Sequence, residues 1–168
     1  MPLVVNAVNA GALSPIRGSL FKFSVMIYLL LIIFSLDFII ACCLAEWEYA
    51  ARGGKNTNGY KYSGSSTVGT VAWYSSNSSN KTHPVAQKTA NEINVFDMSG
   101  NVWEWCSDWY GNYSMSSQTN PMGATSGPGH VIRGGAYNDA ATECRVSVRS
   151  NAAASSSFTT LGLRLVME

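Results

Sequence analysis

Apolar positions are unevenly spread along the chain. Ser24 to Ala45 reads SVMIYLLLIIFSLDFIIACCLA, with Asp37 its one charged residue. That length matches the about 20 apolar residues that cross a bilayer. Asp37 costs roughly 2.5–3.5 kcal/mol at a membrane centre, which many Leu, Ile and Phe offset at roughly −0.3 to −0.6 kcal/mol each. A soluble helix of this size need not be apolar on every face. The run therefore predicts one transmembrane or signal-anchor helix over about 24–45. Beyond it the pattern shortens. In AEWEYAARGG (Ala45–Gly54), Trp47, Ala50 and Ala51 stand at helical spacing and a Gly pair ends the run, which predicts a short helix. GYKYSGSS and TVAWYSSNSSNKTHPV predict short extended pieces between polar turns. In NVFDMSGNVWEWCSDWYG (Asn94–Gly111), apolar Val95, Phe96 and Met98 lead into a Ser99-Gly100-Asn101 turn, after which Val102, Trp103 and Trp105 resume as core positions. Near the end, Arg145 and Arg149 alternate with Val146 and Val148, the pattern of a strand with one buried face.

Composition and charge narrow the picture. A length of 168 residues suits one domain. A net charge of +1 with no Lys/Arg block removes the electrostatic case for nucleic acid as a partner. Abundant Gly, Ser, Asn and Thr favour a loop-rich fold with short strands. Arg17 and Lys22 precede the apolar run and no basic cluster follows it. By the positive-inside rule the N-terminus stays cytoplasmic and the remainder is exported, with the membrane as a partner through residues 24–45. IIAC (Ile39–Cys42) resembles a bacterial lipoprotein box, so a lipid on Cys42 after cleavage and an uncleaved anchor both stand. An exported compartment permits disulfides. With Cys42 and Cys43 inside the apolar run, Cys106 and Cys144 are the candidate pair. SSNSSNKT carries an N-glycosylation consensus and reads as a solvated turn.

Candidate chemistry centres on the Ser99-Gly100-Asn101 turn. Asp97 precedes it and Glu104 follows it, so carboxylates and backbone carbonyls gather there. Such a set suits a hard cation, and Ca²⁺ tolerates irregular shells of six to eight oxygens. The competing reading is two carboxylates hydrogen-bonded to loop amides. His83 and His130 are lone histidines, read as loop or hydrogen-bonding residues rather than general bases. There is no GxSxG elbow, P-loop or dinucleotide fingerprint.

AEWEYAARGG, DMSGNVWEWCSDWY, NPMG, VIRGGAY, CRVSVR and LGLR together resemble the formylglycine-generating-enzyme/sulfatase-modifying-factor domain family, in order and approximate spacing, from Ala45 to the C-terminus. The resemblance implies an α+β, C-type-lectin-like sulfatase-modifying-factor domain, loop-rich with short strands. It also implies a structural Ca²⁺ held by the side chains of Asp97 and Glu104 and the carbonyls of Gly100 and Val102. The family's domain normally starts well before AEWEYA. The expected organisation is thus an N-terminal segment over 1–45 and an incomplete, C-terminal part of the domain over 46–168. Oxidases of the family bind Cu(I) through two cysteines five residues apart. Matched onto GGAYNDAATEC, Asp139 replaces the first and Cys144 matches the second. A hard carboxylate is a poor substitute for a soft thiolate. The two-thiolate copper site is absent, no catalytic residue is assigned, and formylglycine formation is not expected.

Two runs of small residues remain, NDAAT and SNAAASSSFTT. They contain no Lys, Glu, Gln, Met or Trp, the alphabet obtained when the adenines of Asn codons are randomised. This resembles the variable proteins of diversity-generating retroelements. It implies a rigid frame with an exchangeable ligand face over Asn138–Thr142, Ser147 and Ser150–Thr160. The contact residues would be Tyr137, Asn138, Asp139, Ala140, Ala141, Thr142, Ser147 and Phe158, and the partner an unknown protein or surface ligand. A modifying enzyme and a degenerate, truncated family member are the alternatives.

Overall fold

The computed structural model describes residues 3–4 and 39–167. Two sheets organise them. The smaller, in the order β1-β7-β2, is antiparallel and joins Leu3–Val4 (β1), Leu165–Met167 (β7) and Ile39–Ala41 (β2). The larger has the order β5-β4-β3-β6: Arg149–Ala152 (β5), His130–Arg133 (β4), Trp103–Trp109 (β3) and Leu161–Leu163 (β6). β4 pairs antiparallel with both neighbours, setting Glu104 opposite Arg133 and His130 opposite Ala152. β6 lies parallel to β3 with Trp103 opposite Leu161. β5 and β6, on opposite edges, therefore run in the same direction, and the chain between them must return across the sheet.

The predicted helix is present as α1, Leu44–Ala51. Cys43 caps it in a reciprocal box with Glu46, the thiol taking the place usually held by a Ser or Thr hydroxyl. Its buried side is Trp47, Ala50 and Ala51, the residues chosen by spacing. This side packs on the sheet face that carries Glu104, Cys106 and Asp108, all buried. The opposite face carries half-buried Trp103 and Trp105 against Ile132, Ala152 and Leu161. β3 thus alternates between its two faces as far as Trp109, and Trp103 and Trp105, expected as core positions, are half-buried on the face away from α1.

Several expectations are corrected. Ile39–Ala41, the end of the expected membrane helix, is a strand, and Leu44 opens a helix packed on the domain; residues 24–38 lie outside the described residues. No helix among the described residues is long and apolar enough to cross a membrane. Cys42 is buried in the core cluster with Trp47, Val95 and Cys106. Arg145–Val148 is a series of turns, and the strand begins only at Arg149. Val146 is buried as predicted, but its amide bonds to the Lys61 carbonyl rather than to a strand partner. Thr70 and Val71, the start of a stretch read as extended, lie instead in one helical turn, Val68–Val71 (α2). The glycosylation-type loop is not fully solvated, because Ser78 is buried and its hydroxyl donates to the Tyr137 carbonyl.

Candidate functional site: the turn and the runs it supports

The turn at Asp97–Val102 is buried almost throughout. Asp97, Gly100 and Asn101 all adopt positive φ, at 59°, 77° and 67°. Gly100 is obligatory there, because a Cβ would run into the backbone of Trp73. Its amide donates to the Gly134 carbonyl at 2.8 Å. The Asn101 amide donates to the Trp73 carbonyl, and its side chain makes a reciprocal pair with the His83 backbone. Two further bonds reach the candidate ligand face. The Tyr137 amide donates to the Asn101 carbonyl at 2.9 Å, and the Trp103 amide to the Thr160 carbonyl at 2.8 Å. Ser99 donates to the Cys144 carbonyl. One turn thus holds both small-residue runs.

What neutralises this buried centre is an arginine that spacing did not single out. Arg164 is fully buried and grips Glu104, itself 1% exposed, through Nη2–Oε1 at 2.7 Å and Nε–Oε2 at 2.9 Å. Trp47 Nε1 adds a bond to Oε2 at 2.7 Å, and Arg164 Nη2 also donates to the Phe96 carbonyl. Burial disfavours the charge on Arg164, but the Glu104 carboxylate outweighs it and raises the guanidinium pKa. A second buried arginine, Arg133, donates to Glu48 at 2.6 Å and to the carbonyls of Val146 and Val148, with its guanidinium over the Trp47 ring. These bonds hold the irregular segment before β5 in place.

The calcium expectation is tested by the state of its four donors. A carboxylate has about four lone-pair sites. Glu104 spends three on Trp47 and Arg164, so it could serve an ion only as a shared ligand. Asp97 fits better. One oxygen takes the Ala86 amide at 2.6 Å, and burial raises its pKa against the pull of that amide and of Arg164. A cation would relieve that cost. Gly100 and Val102 lie on the same buried turn. Among the described residues no group of three or more His, Cys, Asp or Glu side chains gathers around a metal position, and the loop expected to depend on the ion is already locked by Arg164.

At the position matched to the family's first copper cysteine, Asp139 turns its carboxylate back to the Ala136 amide at 2.9 Å. Cys144 is fully buried, its thiol directed at the Ala140 carbonyl, and burial pushes its pKa up to about 12. The expected Cys106–Cys144 pair does not form. The two thiols are free and belong to different core clusters, Cys106 with Trp47 and Cys144 with Tyr62 and Val71.

The small-residue runs lie at the surface. Asn138, Ala140, Thr142 and Ser147 are exposed, with Tyr137, Asp139 and Ala141 half-buried. Ala153–Ser155 and Ser157–Thr159 are exposed as well, with Phe158 at 60%. The Tyr137 and Thr159 hydroxyls stand 3.5 Å apart, so the two runs meet. Ala152 is the exception, 7% exposed in the core. Two histidine stacks border this region: His83 on Trp73 at 3.7 Å and His130 on Trp109 at 4.1 Å. Both histidines serve packing and backbone bonds.

The domain model described as sulfatase-modifying factor enzyme 1-like matches residues 43–168. The chain belongs to that family. It is 36% identical over 137 residues to the formylglycine-generating enzyme of Streptomyces coelicolor, covering 71% of this chain and 44% of that protein. Among solved structures, Treponema denticola variable protein 1 superposes with a TM-score of 0.72 at 38% identity, over 77% of this chain and 47% of that one. PvdO from Pseudomonas aeruginosa superposes with a TM-score of 0.63 at 28% identity, over 77% and 52%. The chain spans about half the length of these relatives.

Proposed function

We propose that this chain is a non-catalytic ligand-binding protein that displays an exchangeable face on a formylglycine-generating-enzyme-like frame. The observation that carries the reading is the fate of the two matched copper positions. Asp139 is used as a turn cap, and Cys144 is buried and protonated, so no thiolate pair faces solvent. The same segment instead presents small side chains outward, held from beneath by the turn at Gly100–Asn101. The likeness to a variable protein supports this use of the frame.

Phe158 and Tyr137 are the anchors of the proposed face, since aromatic side chains dominate binding energy while Ala and Ser add little. Calcium, held by Asp97 with the carbonyls of Gly100 and Val102 and a share of Glu104, would supply charge neutralisation under this face. An exported setting, inferred from the apolar run that ends near Ala45, fits display; protease treatment of intact cells tests it, since an intracellular domain would survive.

The deciding experiment sequences the gene from independent isolates. Substitutions should concentrate at adenines within the codons of the exposed positions of Asn138–Thr142 and Ser150–Thr160, Asp139 and Ala152 excepted, with a near-copy template nearby. Substitutions scattered evenly over the frame would sink the proposal. The enzyme reading, favoured by the identity to formylglycine-generating enzymes, is tested by Cu(I) titration under reducing conditions. Tight one-to-one binding would restore it.

A further inference from the structure

We infer that Cys42 and Cys106 are the disulfide-forming pair of this chain. Of the four thiols, Cys43 is committed to capping α1, accepting the Glu46 amide at 3.4 Å. Cys144 sits in a separate cluster. Cys42 and Cys106, both free thiols in this structure, share the main core cluster, each 2% exposed, with the Cys42 thiol directed at Glu46 Oε2 at 3.9 Å. The Ser107 amide donates to the Cys42 carbonyl at 3.2 Å. That bond, together with the Leu44 amide donating to Asp108 Oδ2 at 2.6 Å, runs the segment before α1 alongside β3 next to Cys106; a disulfide needs Cα atoms roughly 4.4–6.8 Å apart. Cys106 points to the buried face of β3, the face against which Cys42 packs.

The chemistry requires an oxidant, here a small-molecule disulfide such as glutathione disulfide. One cysteine thiolate attacks it and displaces a glutathione thiolate. The second cysteine thiolate attacks the resulting mixed disulfide and displaces the other. Two electrons pass to the oxidant, and the two cysteine protons leave with the displaced thiolates. Burial raises the Cys106 thiol well above its usual range, so the folded, reduced protein offers little thiolate. The bond therefore closes during folding. Its effect is to tie the chain entering α1 to the central strand.

The test is to refold the full chain in a glutathione redox buffer, alkylate under denaturing conditions and map the peptides by mass. The expected product joins the Cys42 and Cys106 peptides and is two hydrogens lighter than their sum. C43S and C144S should retain the link, while C42S and C106S lose it. Native reduced protein should react with thiol reagents at Cys42 and Cys106 only after denaturation. A link through Cys43 or Cys144, or full alkylation of Cys42 and Cys106 after oxidative refolding, overturns the assignment.

Discussion

Replacing Arg164 by Met isolates what the buried ion pair contributes. Arg164 and Glu104 are 0% and 1% exposed, and their oxygen–nitrogen contacts are 2.7 and 2.9 Å. Without the guanidinium, Glu104 keeps only the Trp47 indole as a partner among the bonds described above, and its charge remains in the core. Breaking a buried pair by removing one partner costs about 3–5 kcal/mol, a large share of the 5–15 kcal/mol that holds a typical domain together. With a urea slope of about 2 kcal/mol/M, the unfolding midpoint should fall by roughly 1.5–2.5 M. Tryptophan fluorescence reads the transition, because Trp47 bonds directly to Glu104. Removing the charge as well, in the E104Q/R164M double variant, should recover a substantial part of the loss. Arg164 also serves the Phe96 carbonyl, so the cycle of single and double variants, rather than R164M alone, gives the coupling. A midpoint within 0.3 M of wild type for R164M, or no recovery in the double variant, would refute the assignment of Arg164 as the clamp under the turn.

Asp97→Asn probes the calcium proposal with a definite sign. The raised Asp97 pKa means its contribution to stability is present below the ordinary value of 3.8 and lost as pH rises through the folded value, so at pH 7 its charge is a cost. In EDTA at pH 7, D97N should be at least as stable as wild type, whereas calcium should raise Tm only in wild type; a calcium response surviving D97N refutes Asp97 as a ligand. Trp47→Phe keeps the packing but removes a hydrogen bond to a buried carboxylate. It should cost about 1.5–3 kcal/mol in denaturation, and a loss under 0.5 kcal/mol would contradict the geometry. Substituting Ala140→Tyr, Thr142→Asn and Ser155→Tyr, one at a time, should leave stability within about 0.5 kcal/mol. A drop of several kcal/mol would mean these runs are structural.

How much of this was legible beforehand depended on the range of the interactions. α1 was readable because its buried residues lie within two turns of one another, and its stop signal follows at once. β3 was only partly readable: the pattern marks Trp103 and Trp105 as core positions, and the fold sets them half-buried on the face opposite Glu104. The turn was identifiable from Ser99-Gly100-Asn101. The partner of Glu104 was not, since Arg164 lies 60 positions away and looks like the close of a strand. The same holds for Arg133, whose guanidinium organises Arg145–Val148 through carbonyls. Local alternation there imitated a strand, while the backbone was taken up by long-range bonds instead. The apolar run shows a related limit at its C-terminal end. Composition alone does not separate the end of a membrane helix from a short strand followed by a capped helix, and Ile39–Ala41 and Leu44–Ala51 are the latter, while residues 24–38 lie outside the described residues.

The arrangement also says which positions a display face could exchange. Within Ala136–Cys144 the turns close through main-chain bonds: Asp139 amide to Ala136 carbonyl, Glu143 to Ala140, and Cys144 to Ala141. Ser156 to Ala153 does the same in the second run. Side chains at Asn138, Ala140, Thr142, Ser155 and Phe158 can therefore change without altering the bonds that shape the loop. Asp139 and Ala152 cannot be grouped with them. Asp139 uses its carboxylate on the Ala136 amide, and Ala152 packs against Ile132 and Leu161. Asp139→Ala would leave that amide without its partner, and Ala152→Leu would overfill a closed cluster, a change that costs about 1–3 kcal/mol. Natural variants of this chain should vary at the first set and hold an acceptor at residue 139 and a small residue at 152. Free variation at both of these positions would show that the frame extends less far into the runs than these hydrogen bonds require.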